Sequence, residues 1–236
     1  MTAALEIRHQ RGEALSIKTD AHVKNHGLAV DTDETSTVSA SNQWLPPVGE
    51  TLEEQIELFA RHSERLQTRL EFVRNLSDAA SLVGSIAHQE GWRRVGAHHD
   101  PMVEACVETA HVEVCWTDDA ERYNPDTLEA CDAGITTCEA LIAQTGSVLV
   151  TCRVNGGRAL SVLPPHHVVI TTTDQLQPDL AAGYRLLRER YSDNHPTQVA
   201  LITGPSRTGD IERILVLGAH GPKKLTVVMI DQTSTV

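Results

Sequence analysis

The sequence predicts an α/β fold: a mainly parallel mixed sheet with helices on both faces, preceded by an N-terminal helical hairpin. Three observations predict it. From residue 93 onward, short β-branched runs alternate with helical stretches. Two helix-like patterns precede the first of those runs. The chain has 236 residues and 40% hydrophobic content, enough to bury a sizeable core.

The elements follow in order. Residues 1–50 read as an N-terminal arm and polar linker, because the stretch 31–43 (DTDETSTVSASNQ) has too few apolar residues to bury surface. Residues 51–236 read as one α/β domain that includes a helical hairpin over 51–90. Thr51 and Glu54 form a capping-box pattern, and Leu52, Ile56, Phe59, Leu66, Leu70 and Val73 continue as an apolar stripe, so a long helix is expected from Thr51 to about Leu76. Ser77 and Asp78 offer a second helix start and Gly91 its stop. Strands are expected at 93–97, 112–116, 134–136, 147–153, 167–172, 198–203 and 225–230, with helices at 101–109, 125–130, 180–190 and 210–217. The runs between 147 and 172 are expected to form an antiparallel or edge part of the sheet.

Composition excludes several functions. A net charge of −12 argues against neutralising nucleic-acid phosphates, so any basic site is local. No stretch approaches ~18 uninterrupted apolar residues, and the first ten residues lack a signal-peptide pattern, which together predict a cytoplasmic protein without a membrane span. The five cysteines, Cys106, Cys115, Cys131, Cys138 and Cys152, read as reduced core thiols. None has C-x-x-C spacing, so the chain lacks an iron–sulfur or structural-zinc motif and requires no identifiable cofactor. His98-His99-Asp100 and His166-His167 are metal-ligand types, but neighbours on a strand face opposite ways, and no metal site is assigned.

The richest motif is Gly204-Pro-Ser206-Arg207-Thr208-Gly209-Asp210-Ile-Glu212, between an apolar run and an expected helix. Strand, glycine loop and helix start together form an anion-binding arrangement, with Arg207 adding a charge-assisted contact. The spacing is neither a Walker loop nor a dinucleotide fingerprint. The same residues also fit a plain capping loop in which Thr208 or Asp210 caps the helix. Asp210 and Glu212 are candidate bases and His220 a candidate acid; His220 equally fits a helix end. Lys223 adds a cation, and Thr145, Gly146 and Ser147 form a second loop that either faces the ligand or only turns the chain.

The C-terminal ITGPSRTGDIERILVLGAHGPKKLTVVMI, with AGITTCEALIAQTGSVLV and ALSVLPPHHVVI upstream, resembles the lactate-utilisation protein C family, the LUD domain, over roughly residues 50–231. The resemblance implies a fold similar to the ribose-phosphate isomerase and CoA-transferase group. It also implies work beside iron–sulfur and cysteine-rich subunits in oxidising L-lactate. Gln144 stands where the family often has Glu, which argues against a covalent acyl mechanism, and Gly209 replaces the more usual Ala.

Three functions follow as expectations. The first is a non-redox subunit of a lactate-oxidation complex that binds an anionic metabolite or cofactor. The others are a stand-alone enzyme on a phosphorylated sugar or nucleotide, and an assembly module without a ligand.

Overall fold

A computed structural model describes residues 46–118, 124–153, 156–208, 216–217 and 221–232. Helix α1 (Leu52–Leu66) starts where its capping box places it: Thr51 Oγ1 accepts the Glu54 N–H at 3.2 Å, and Glu54 Oε2 accepts the Thr51 N–H at 3.2 Å. The helix buries Leu58 and Phe59. Full burial of Phe59 contributes about 2 kcal/mol.

The expected hairpin is corrected here. Helix α1 stops at Gln67, which takes the left-handed conformation (φ 61°), and the rest of the presumed helix is strand β1 (Arg69–Val73). Leu70 and Val73 fit a helical stripe by spacing, but β1 pairs in parallel with β12 (Lys224–Ile230), placing Leu70 opposite Val227. Hydrogen bonding to a distant strand outweighed the local pattern. Helix α2 (Leu76–Glu90) follows, capped by Asn75 rather than by Ser77 or Asp78, and ends at Gly91 (φ 68°).

Then come β2 (Arg94–Ala97), α3 (Pro101–Ala110), β3 (Glu113–Trp116), α4 (Pro125–Glu129) and β4 (Ala133–Thr136). Next are β5 (Ala140–Ile142), β6 (Ser147–Thr151), α5 (Gly157–Leu160), β7 (His166–Thr172), β8 (Leu176–Gln177), α6 (Leu180–Arg190) and β9 (Val199–Ile202). The main sheet has the order β1-β12-β7-β4-β2-β3 and is parallel throughout. A second sheet has the order β8-β5-β6-β9, with β6 antiparallel to both neighbours. The antiparallel part expected near 147–172 is therefore β6 alone, whereas β7 is fully buried inside the parallel sheet.

Two cores flank the main sheet. Val95, Ala97, Ile135, Val168 and Ile170 pack with α2 and α3 on one face. Val169, Val227 and Met229 pack with α1 and the second sheet on the other. Leu128 of α4 and Leu160 of α5 form a smaller cluster, and both approach Gly96 of β2 so closely that a Cβ there would stand 2.3 Å from Leu128 Cδ1. Helices α3 and α4, on either side of β3 in sequence, thus cover opposite faces of the sheet.

Candidate functional site

Gly209, Asp210, Glu212 and His220 lie outside the described residues. Gly146, Gly204 and Arg207 approach the end of α1. Thr145 Oγ1 lies 2.7 Å from Ser147 Oγ, which lies 2.7 Å from Thr203 Oγ1, so the two expected loops meet. The β6–β9 ladder, with Val148 opposite Ile202, brings them side by side. Arg207 Nη2 donates to the Leu66 carbonyl at 2.6 Å and to Gln67 Oε1 at 2.8 Å. Ser206 N–H donates to Pro222 O at 2.8 Å, drawing this loop against the segment that holds Lys223, whose own N–H donates to Pro165 O.

The glycines here serve packing. Gly146 (φ 67°) faces α1, and a Cβ on it would stand 2.6 Å from His62 Cβ; a Cβ on Gly204 (φ 86°) would stand 3.1 Å from Leu66 O. Arg207 satisfies the open carbonyl end of α1 and complements its dipole, leaving the guanidinium's other N–H groups outside that contact. The expected strand–loop–helix cradle is corrected at residues 207–208 and 216–217, while 209–215 lie outside the described residues. Arg207–Thr208 form strand β10, antiparallel to β11 (Val216–Leu217), so the helix expected over 210–217 ends as a strand. A short apolar run such as Val216-Leu217 suits either state, and cross-strand pairing decides it. Gln144 is buried and donates from Nε2 to Pro46 O at 3.3 Å, tying the Thr145 loop to the segment before α1.

A different region has the shape of a ligand site. In the main sheet the chain leaves β2 for β3 on one side and returns to β4 on the other. An open parallel sheet forms a crevice at such a reversal, beyond the carboxyl ends of the strands. A cavity of about 460 Å³ lies there. Its walls are His98, His99 and Asp100 after β2, Thr117 and Asp118 after β3, and Cys152, Arg153, Gly156 and Gly157 after β6. Asp118 Oδ2 accepts the His99 N–H at 2.9 Å, and Asp100 Oδ1 caps α3 at Met102 N–H, also at 2.9 Å. The His99 ring stacks on Trp116 with centroids 4.2 Å apart and planes within 10°.

His98 forms part of the cavity wall and is 3% exposed. Burial depresses its pKa, with the Asp100 and Asp118 charges opposing. Its Nε2 accepts the Thr137 N–H at 3.2 Å, which places the proton of the neutral ring on Nδ1. The Arg153 wall is anchored from below. Glu139, fully buried, pairs with Arg190 and accepts from Tyr191 Oη at 2.5 Å and from Thr151 Oγ1 at 2.7 Å. Arg153 bonds Asn194, whose N–H donates to Tyr191 O.

Sequence reasoning noticed His98-His99-Asp100 but missed Thr117, Asp118, Arg153 and the Gly156-Gly157 pair. The Gly-Gly pair was the available signal; which strand ends face one another was not. Of the cysteines, Cys106, Cys131 and Cys138 are buried and their thiols pushed up to about 12, chiefly by desolvation. Cys115 and Cys152 are only half-buried, a correction to the core-thiol expectation. Hydrogen bonding to Thr197 lowers the Cys152 pKa. His166 and His167 bond Thr226 and Thr136 respectively, in line with their opposite directions along β7. Among the described residues no three His, Cys, Asp or Glu side chains converge as a metal site requires, and no helix is long and apolar enough to cross a membrane.

Comparison with known proteins places this architecture. The LUD domain family model matches residues 56–230. The chain is 32% identical to lactate utilization protein C of Macrococcus caseolyticus over 124 residues, 52% of this chain and 54% of that protein. It is 32% identical to the Geobacillus sp. protein of the same name over 49% of this chain and 48% of that protein, so the match spans about half the length of these relatives. With the lactate utilization protein C of Oceanobacillus iheyensis it shares 24% identity over 84% of this chain and 89% of that protein. The crystal structure of a DUF162 family protein from Deinococcus radiodurans superposes with a TM-score of 0.58, at 23% identity, over 77% of this chain and 99% of that one, and shares the fold.

Proposed function

This chain belongs to the LUD domain family, and from that premise we propose that it serves lactate utilisation as a subunit without a redox centre of its own. Iron–sulfur and cysteine-rich subunits are its partners in this reading, and its own task is to hold a small anionic metabolite. The names of its relatives support the setting. Three of its five cysteines are kept protonated by burial, a poor state for ligating a cluster.

The meeting of the Thr145–Ser147 loop with the segment 204–207 is the observation that carries the anion site. The Ser147–Thr203 hydroxyl contact sets those loops beside the exposed Arg207 guanidinium, with Ser206 drawn towards the Lys223 segment. Thr208 and Gly209 are further ligand-binding candidates of this reading, in which Asp210 and Glu212 orient hydroxyls or loop amides; Asp210 or Glu212 as base and His220 as acid belong to the stand-alone enzyme reading.

Thermal unfolding against L-lactate, pyruvate and inorganic phosphate tests it. A ligand at 100 times its Kd stabilises the native state by about 2.7 kcal/mol. The expected result is a raised midpoint with at least one of these anions that Arg207→Ala abolishes. A rise that survives Arg207→Ala, or no rise with any of the three, overturns the site. The partnership is tested separately by co-purification with the iron–sulfur subunit.

A further inference from the structure

We infer that the cavity at the carboxyl ends of β2, β3 and β6 is a second ligand site, and that it takes a ribonucleoside through its vicinal hydroxyls. The inference is independent of the anion site at the end of α1.

Five observations carry it. The cavity, about 460 Å³, has the volume of a small-molecule pocket and occupies the strand-order reversal of a parallel sheet. In a β-α-β unit of this kind, a carboxylate at the end of the second strand, about twenty residues on, accepts hydroxyl protons from a ribose. Asp118 holds that position in the β2-α3-β3 unit, and Thr117 beside it adds a hydroxyl.

The phosphate-binding part of such a unit is replaced. Instead of a glycine loop, β2 leads into His98-His99-Asp100-Pro101. Pro101 has no N–H, and the Asp100 carboxylate already covers the helix start at Met102. The Asp100 carboxylate at this end offers acceptors to hydroxyls rather than donors to a phosphate, and Arg153 of the cavity wall is bonded to Asn194, so the ligand inferred is a nucleoside. The flat His99–Trp116 stack at the rim offers a base a surface to continue. Gly156 and Gly157 both hold positive φ (74° and 80°). A Cβ on Gly156 would press on Thr117 Oγ1 and His98 Cβ at 2.9 and 3.0 Å, whereas one on Gly157 would meet nothing within 4 Å, so the backbone at Gly157 is open to a ligand.

Titration calorimetry on the full chain with the four ribonucleosides, their 2′,3′-dideoxy counterparts and D-ribose tests the proposal. At least one ribonucleoside is expected to bind, with its dideoxy form at least tenfold weaker, since a charged acceptor loses its donors. Asp118→Asn, which keeps an acceptor for the His99 N–H, is expected to weaken the ribonucleoside at least tenfold and leave the dideoxy form unchanged. Equal binding of the two forms overturns the diol assignment, and D-ribose binding as tightly as any nucleoside overturns the base. Silence from all nine compounds overturns the site. The dideoxy comparison needs no variant, so a folding defect in Asp118→Asn cannot decide the outcome.

Discussion

Gly146 and Gly157 stand on either side of β6 with nearly the same left-handed backbone, φ 67° and 80°, and quite different surroundings. A methyl group on the first would press into His62 of α1, 2.6 Å from its Cβ, whereas on the second it would point into open space. At one end of β6 glycine is required because two elements touch. At the other its lack of a side chain leaves backbone uncovered. Glycine-rich loops therefore carry two meanings that spacing cannot separate, and the loops that stand out most in this sequence are the tightly packed ones. Arg207 repeats the lesson: the side chain expected to hold an anion first satisfies a helix end.

Acid sharpens the comparison most. His166 and His167, in the sheet beneath the cavity's strand ends, are depressed by burial to about 4 and about 3. In the unfolded chain both titrate near 6.5, so the unfolded state binds more protons below that pH. The native state then loses stability as pH falls from about 6.5 towards 3, and gains nothing from these groups above 7. At pH 5 each histidine costs about 2 kcal/mol. Urea unfolding at pH 7 and pH 5 is expected to show the sum, and His167→Gln to remove about half of it. An unchanged slope in His167→Gln would assign the acid sensitivity elsewhere.

Next in size is the anchor under the Arg153 wall. Arg190→Ala leaves the Glu139 carboxylate buried with only hydroxyl partners, at a cost of about 3 kcal/mol. Denaturant midpoints measure it, and a loss below about 1 kcal/mol would mean that water reaches Glu139 and that the wall is not held by this charge.

The glycine pair is the direct test of the opening contrast. Gly146→Ala adds a clash to left-handed strain and is expected to cost about 3 kcal/mol, whereas Gly157→Ala carries the strain alone, about 1 kcal/mol. Equal costs would erase the distinction between the two ends of β6.

Much of the fold was legible locally. The Thr51 capping box, the Gly91 stop, the helix expected over 101–109 and the alternation of β-branched runs with amphipathic stretches each place an element within a residue or two of where it lies. The residues around the end of α1 were also visible as motifs, and Ser147 and Thr203 do meet. Arg69–Val73 and Val216–Leu217 are strands that were read as helix. In each the apolar spacing fitted the helix, and the deciding partner lies elsewhere in the chain: Val227 opposite Leu70, Arg207 opposite Leu217.

The sequence by itself determined the class of the fold, the start of α1 at its capping box, the stop of α2 at Gly91 and the family to which the chain belongs, because caps, periodicity and motifs act over a few residues. Only the tertiary structure decided that β1 joins the sheet edge, that Gly146 and Gly204 serve packing, and that His98, Asp118 and Gly157 share one cavity. Those outcomes depend on strand order and register, which are set by hydrogen bonds and burial between segments far apart in the chain.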